Sequence, residues 1–305
     1  MRQSIRGYTD GILQVAGSVS EVGNLAGELA AVRRVVDASE DLRRVLADAG
    51  VPAPARRAVV AELFQSRVSE PTLQLLGFVI GADRAGEFPA NLGWLISRTE
   101  AAARNAKPVN ETVLGRLAAE ERLDGYASAV LSTLQGDTEL TRVEDELFRF
   151  TRIVDGSAEL AAALSDREVA PGSRRTLVED LLRDKVAPTT LQLAAYATQV
   201  GKPRDYQALL GYLVDRVASE SNRRLAEVRA PVDLDESQRA ALASALSRLV
   251  GRGVDIRVSV DPSVLAGFVA TIGDTVIDGS ARHRLEILKE RLVSPEATIT
   301  TGDRS

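Results

Sequence analysis

The sequence repeats itself at a constant offset of 118 residues. Gly7-Tyr8 recurs as Gly125-Tyr126, and the run "TLQL" occurs at residues 72–75 and again at 190–193. The same offset pairs Glu28 with Glu146, Leu42 with Leu160, Leu46 with Leu164, Arg56-Arg57 with Arg174-Arg175, and Trp94-Leu95 with Tyr212-Leu213. One register kept this long indicates two copies of one domain: copy 1 at residues 1–106 and copy 2 at 110–220. Each copy is too long for a solenoid repeat and large enough to hold its own core.

Both copies have the periodicity of amphipathic helices. In copy 2, Val143, Leu147, Phe150 and Val154 follow one another at steps of four, three and four, which places them on one helix face. The runs "VPAP" at 51–54 and "APGS" at 170–173 indicate a helix break and restart, because proline suits a first helical turn and not an interior. The pattern predicts five or six short helices per copy.

The pattern changes after Asn222. We predict an edge-type strand in "RRLAEVRAPVDL", a helix that Asp235 caps, a strand in "VDIRVSV", two further strands in "GFVATIG" and "TVIDGS", and a last helix in "ARHRLEILKERL". The predicted fold is therefore mainly α, with two repeated helical bundles followed by a small α+β domain at 221–293. A polar tail occupies 294–305.

Charge and composition exclude several classes of protein. The net charge of -5 disfavours nucleic-acid binding, which depends on Lys and Arg contacts to phosphates. A chain without cysteine forms no disulfide or thiolate metal site, and it fits a reducing compartment. No apolar run reaches the roughly 18 residues of a membrane span, and the start lacks the apolar centre of a signal peptide. We expect a cytosolic chain that reaches a membrane through a partner.

The stretch from 260 to 280 has the composition of either a carboxylate site or a set of tight turns. Hairpin turns and helix caps also require aspartate and glycine, so each of these residues has a local structural explanation. We predict turn and cap roles, with no catalytic residue, metal or cofactor, and leave a two-carboxylate metal site as the alternative. The residues concerned are Asp261, Gly267, Gly273, Asp274, Asp278 and Gly279.

Other motifs carry little chemistry. "GRGVD" at 251–255 follows a helix and precedes a strand, the reverse of a dinucleotide-binding turn. Gly201-Lys202 lacks the remaining residues of a phosphate-binding loop. His283, the single histidine, lies among arginines on an amphipathic helix and fits a surface position.

The C-terminal third resembles a known family. The order of its elements and the segment "VDPSVLAGFVATIGDTVIDGSARHRL" are similar to the delta subunit of ATP synthase, called OSCP in mitochondria. One departure is Ala266, where the family usually has glycine beside Gly267. Copy 2 resembles the helical domain of the family more loosely. The duplicated helical domain resembles the delta subunits of high-GC bacteria.

The resemblance implies a non-enzymatic stator subunit on the cytoplasmic face of the cell membrane. In that family the helical domain binds the N-terminal helix of an alpha subunit on the catalytic head, and the C-terminal domain binds the b subunit. Membrane association would then occur through the complex. Two alternatives are an RNA-binding module of the antitermination type, which the acidic charge disfavours, and an aspartate-dependent hydrolase or nucleotide-binding enzyme.

We further predict a helix-binding groove between the first and fifth helices of copy 2. Apolar anchors at helical spacing there would hold an amphipathic helix. The alternative is that these residues are ordinary core. The predicted anchors are Tyr126, Val130, Leu131, Leu134, Leu193 and Tyr196.

Overall fold

The computed structural model describes residues 1–105, 113–134, 136–250, 254–264, 266–272 and 275–279. Each copy contains six α-helices in these ranges, and a four-stranded sheet with one helix follows. The predicted fold class, mainly α with an α+β C-terminal domain, is confirmed. Within the described residues, no helix is both long enough and apolar enough to cross a membrane.

The helices of the two copies occupy matching positions in the repeat. Copy 1 contains α1 Gln3–Ala16, α2 Val19–Ala38, α3 Glu40–Ala47, α4 Ala53–Phe64, α5 Glu70–Ala82 and α6 Phe88–Ala103. Copy 2 contains α7 Arg116–Leu131, α8 Gly136–Gly156, α9 Ala158–Ser165, α10 Pro171–Leu182, α11 Pro188–Val200 and α12 Tyr206–Arg224. The repeat is therefore present in the helix boundaries as well as in the amino-acid sequence.

Equivalent side chains begin equivalent helices. The Ser39 hydroxyl accepts a hydrogen bond from the Leu42 amide at 3.3 Å, and in copy 2 the Ser157 hydroxyl accepts from the Leu160 amide at the same distance. Each serine satisfies an amide that has no carbonyl partner in the first turn of its helix. Pro171 is the first residue of α10, where the missing amide costs nothing.

Each copy has its own hydrophobic core. Leu29 on α2 and Leu95 on α6 are fully buried in copy 1. Their counterparts Leu147 and Leu213 are fully buried in copy 2. Met1–Leu134 and Glu139–Ala218, from both helical copies, nevertheless form one compact unit, and the C-terminal sheet belongs to a second unit. The domain boundaries drawn from the sequence stay predictions.

A carboxylate in each copy connects the second helix to the start of the fifth. The Glu146 carboxylate accepts hydrogen bonds from the Ala187 amide at 2.7 Å and from the Thr190 hydroxyl at 2.6 Å. Glu28 accepts from the Ser69 amide and from the Thr72 hydroxyl in the same way. Partial burial alone would raise the pKa of Glu146, but bonds from Thr190, Arg142 and the Ala187 amide outweigh it and lower that pKa.

Replacing Glu146 with glutamine is expected to lower the free energy of unfolding by about 1.5 kcal/mol at pH 7, because an amide accepts these bonds less strongly than a carboxylate. A lowered native pKa means that the stabilisation is complete above the unfolded-state value of about 4.3 and is lost as the pH falls through the native value. Urea denaturation between pH 7 and pH 3 should therefore show the difference disappear on acidification. The exposed Asp145→Asn is the control and should change little.

The C-terminal sheet comprises β1 Leu225–Ala230, β2 Asp255–Val260, β3 Val269–Ile272 and β4 Thr275–Asp278 in the order β2-β1-β3-β4. The strand β1 pairs in parallel with β2 and antiparallel with β3, so it is a central strand. The predicted edge position was wrong. Pro231 follows the last residue of β1 and removes no ladder donor from it, so it does not force the strand to an edge.

The predicted helix after Asp235 is confirmed as α13 Glu236–Val250. Asp235 accepts a hydrogen bond from the Gln238 amide at 2.8 Å, which caps its first turn. Buried residues from the sheet and from α13 form a small third core. The predicted last helix lies outside the described residues.

Candidate functional site

The six predicted anchors lie on or just after α7 and on α11, and the structure brings them together. The Tyr126 and Tyr196 rings stack with their centroids 3.8 Å apart. Five of the six are buried in the core of copy 2, and Leu134 is partly buried against it. Burial raises the pKa of the Tyr126 phenol above its usual value. Their role in partner binding stays a prediction.

The first helices of the two copies pack directly on each other. A Cβ atom added at Gly7 would lie 1.8 Å from the Arg122 carbonyl oxygen, and one added at Gly125 would lie 1.9 Å from the Ser4 carbonyl oxygen. These distances show that Gly7 and Gly125, which have no side chain, each allow the backbone of the opposite helix to approach closely. Helix α1 therefore covers part of α7, the helix that contributes three of the predicted anchors.

This contact has approximate two-fold symmetry. Gly7 corresponds to Gly125 in the repeat, and Ser4 corresponds to Arg122, so the two close approaches are the same contact made in both directions. A Cβ added at Gly11 would lie 2.6 Å from the Cβ of its own counterpart, Ala129. Equivalent residues touch each other in this way where a two-fold axis passes through an isologous interface.

A buried carboxylate also joins the copies. Asp10 on α1 pairs with Arg122 at 2.8 Å and with Arg98 at 2.9 Å, and the Tyr196 hydroxyl donates to it at 2.7 Å. The side chains of Asp10 and Arg122 are 11% and 7% exposed, so this is a nearly buried ion pair. Burial, together with the charge of Asp10, raises the pKa of Tyr196 far above its usual value.

Sequence reasoning missed this interface, although its signal was present. Gly7 and Gly11 are four residues apart on α1, and Gly125 and Ala129 are four apart on α7. Small residues at this spacing lie on one helix face and permit a close helix contact. Glycine inside a helix costs roughly 1 kcal/mol relative to alanine, which indicates a packing reason for keeping it.

The predicted turn residues are spread along the C-terminal unit. The Asp261 carboxylate accepts from the Ser263 amide at 2.9 Å and pairs with Arg229 at 3.4 Å. Gly267 has a φ of 85°, a conformation that favours glycine. The Gly279 amide donates to the Phe268 carbonyl at 2.9 Å.

Three of the acids were candidates for a metal or catalytic site. The hydrogen bond from Ser263 is the main cause that lowers the pKa of Asp261, as expected of a turn carboxylate. Asp278 is the last residue of β4 and pairs with Val269 in the sheet. Gly273 and Asp274 lie outside the described residues. Across the described part of the chain, no group of three or more histidines, cysteines or acids could hold a metal ion.

Comparison with known proteins decides the family. The family model described as "ATP synthase delta (OSCP) subunit" matches residues 5–110 and 124–292. The chain belongs to this family. Its relatives named "ATP synthase subunit delta" include the Nocardia farcinica protein, which is 36% identical over 91% of this chain and 93% of its own length. The Streptomyces avermitilis protein is 35% identical over 90% of each chain. The Thermobifida fusca protein is 32% identical over 90% of this chain and 91% of its own.

Membership defines the class of function. A delta subunit is a non-catalytic part of the peripheral stalk of ATP synthase, and it lies peripheral to the membrane in that complex. The relatives also confirm the resemblance to the high-GC bacterial type of delta subunit. The first matched region corresponds to copy 1 and the second to copy 2 with the C-terminal sheet, which agrees with the repeat found in the sequence.

Proposed function

We propose that this delta subunit connects the catalytic head to the b subunit on the cytoplasmic face of the cell membrane. The helical unit holds the N-terminal helix of an alpha subunit, and the C-terminal α+β unit holds b. The domain organisation supports this assignment of alpha to one unit and b to the other. The chain forms two compact units, each with its own hydrophobic core or cores, as a connector with two ends requires. The link then resists the torque of rotation without chemistry of its own.

The face of α7 and α11 in copy 2 is the proposed alpha-binding surface. It already holds a helix in this structure, because α1 packs on α7 through Gly125 and bonds to α11 through Asp10 and Tyr196. A face shaped for one amphipathic helix suits another. The alpha helix therefore takes the place of α1 on this face, and copy 1 moves away from copy 2 when the alpha helix binds.

Weakening the hold of α1 should strengthen binding of the alpha helix. If α1 covers the groove, the apparent affinity falls in proportion to the fraction of molecules with the groove open. Asp10→Asn weakens the covering contact, so we expect a labelled alpha N-terminal peptide to bind the full chain at least about 5-fold more tightly. Fluorescence anisotropy measures this. Asp37→Asn, which removes an exposed charge from α2, is the control and should leave the affinity unchanged.

Unchanged affinity in Asp10→Asn would place the alpha helix elsewhere on the chain. A substitution such as Val130→Asp is not a suitable test of binding. Val130 is 1% exposed, so a charge introduced there would disrupt the core of copy 2.

Exposed apolar side chains on the C-terminal unit support the proposed b contact. Val260 on β2 is 56% exposed and Val276 on β4 is 64% exposed, and these are the two outer strands of the sheet. Changing Val276 to aspartate adds a charge at an exposed position, so the fold should survive. We expect weaker binding of the soluble part of b with alpha-peptide binding unchanged. Retained b affinity in both Val260→Asp and Val276→Asp would exclude the outer strands β2 and β4 as the contact, since the two side chains lie on opposite faces of the sheet.

A further inference from the structure

Copy 2 contains a cavity with an unusual concentration of positive charge. Its volume is about 550 Å³, within the range of small-molecule sites. It lies between the start of α10 and the connection from α11 to α12, and Leu114, which bridges to Gly201, forms part of its wall. Five cationic side chains and no carboxylate are found among its described lining residues: Arg122, Arg167, Arg174, Lys202 and Arg204.

Much of this charge is not neutralised by neighbouring acids. Asp10 pairs with Arg122. Arg174 is 3% exposed and lies near the Asp166 carboxylate, and it donates to the Asp166 and Val169 carbonyl oxygens as Arg56 does to the equivalent region of copy 1. We therefore count it as a structural cation. Neither Arg167 nor Lys202 pairs with an acid in the described part of the chain.

The remaining cation, Arg204, has a weak partner. Its guanidinium lies 3.8 Å from the Asp205 carboxylate, and its side chain is 61% exposed, so the pair is screened by solvent. The cavity therefore presents several charged hydrogen-bond donors to whatever enters it.

The repeat shows that the fold does not require three of these five charges. Copy 1 folds into the same six helices, and its equivalent positions carry little net charge. Arg174 and Lys202 have the cationic counterparts Arg56 and Arg84. The other positions differ: copy 1 has Ser4 for Arg122, Ala49 for Arg167, Asp83 for Gly201 and Gly86 for Arg204. Arg122, Arg167 and Arg204 therefore make the lining of copy 2 more positive than the equivalent surface of copy 1, and the Asp10 pair accounts only for Arg122.

We propose that this cavity binds a phosphate-bearing small molecule of nucleotide size. Guanidinium and ammonium groups form strong charge-assisted hydrogen bonds with phosphate oxygens. Val113, Val169 and Val200 supply an apolar wall for the ring or body of the ligand. The chain as a whole carries a charge of -5, so attraction of an anion must come from this local cluster.

The test is calorimetric titration of the full chain with ATP in the presence of EDTA. We expect one saturable site. Lys202→Ala and Arg204→Gly, which removes a cation and introduces the copy 1 residue, should each weaken binding about 10-fold, as the loss of one charged contact of about 1.4 kcal/mol implies. Arg84→Ala removes the equivalent cation from copy 1 and should leave the affinity unchanged. All three side chains are exposed, so each variant should fold, and circular dichroism checks this.

Three results would overturn the proposal. One is the absence of saturable ATP binding up to several millimolar, on the order of the weakest specific affinities. Another is equal weakening by Arg84→Ala, since that would indicate general charge attraction. Saturable binding of a glutamate-rich peptide without binding of ATP would instead assign the cavity to an acidic protein segment. Tighter binding of ATP than of inorganic tripolyphosphate is expected if the apolar wall contacts the ligand, and equal binding would contradict that part.

Discussion

Changing Gly7 to alanine is expected to lower the free energy of unfolding of the helical unit by about 2 to 3 kcal/mol. The added Cβ would lie 1.8 Å from the Arg122 carbonyl oxygen and 2.9 Å from the Tyr126 amide nitrogen, and both atoms are backbone. A backbone clash cannot be relieved by rotating a side chain, so α1 and α7 must move apart. Elsewhere in a helix, the same change would stabilise by about 0.5 to 1 kcal/mol.

The repeat and the helices supply controls for this result. Gly125→Ala should have a similar effect, because its Cβ would lie 1.9 Å from the Ser4 carbonyl oxygen. Gly27→Ala on α2 has open space around the new methyl group and should be slightly stabilising. Urea denaturation followed by the fluorescence of Trp94, the single tryptophan, reports on copy 1. Equal stability of Gly7→Ala and Gly27→Ala would contradict the close packing of α1 on α7.

Changing Asp10 to asparagine is expected to destabilise the helical unit by about 3 kcal/mol, because it leaves Arg122, whose side chain is 7% exposed, without a charged partner from α1. Removing one partner of a buried ion pair typically costs about 3–5 kcal/mol, since the remaining charge is still desolvated. The partial solvent exposure of Arg98, at 21%, places the expected value at the lower end.

A double-mutant cycle separates the coupling energy between Asp10 and Arg122 from the general destabilising effect of each substitution. Arg122→Met removes the buried charge, so adding Asp10→Asn to it should cost at least about 1 kcal/mol less than Asp10→Asn alone. The exposed pair Arg33 and Asp37, at 3.3 Å on α2, is the control, and Asp37→Asn should change stability by less than about 0.5 kcal/mol. Additive losses in the cycle would show that Asp10 and Arg122 are not coupled.

The repeat and its helices could be predicted because they depend on local patterns. Spacings such as Val143 to Leu147 define a helix face within one segment, and proline at 171 marks a helix start. The interface of α1 with α7 could not be derived in the same way. Its partners, such as Asp10 and Tyr196, are far apart in the chain and become neighbours only when both copies are folded.

The position of β1 in the sheet and the burial of the six predicted anchors also depend on contacts between residues far apart in the chain. Pro231 suggested an edge strand, but strand order depends on pairing with β2 and β3, which follow later in the chain. The sequence predicted a helix-binding groove around Tyr126 and Val130, with ordinary core as the alternative. In the structure α1 packs across part of α7, and Ala129 joins the core of copy 1.

The most direct test of the stator role measures coupling in membranes. ATP synthase vesicles should be stripped of this subunit and assayed for ATP hydrolysis and for ATP-driven proton pumping. A non-catalytic connector predicts that hydrolysis persists, that pumping is lost because the head turns freely, and that adding back the purified chain restores pumping. Proton pumping that remains coupled to hydrolysis in vesicles fully depleted of this chain would contradict its role as the link between head and stalk.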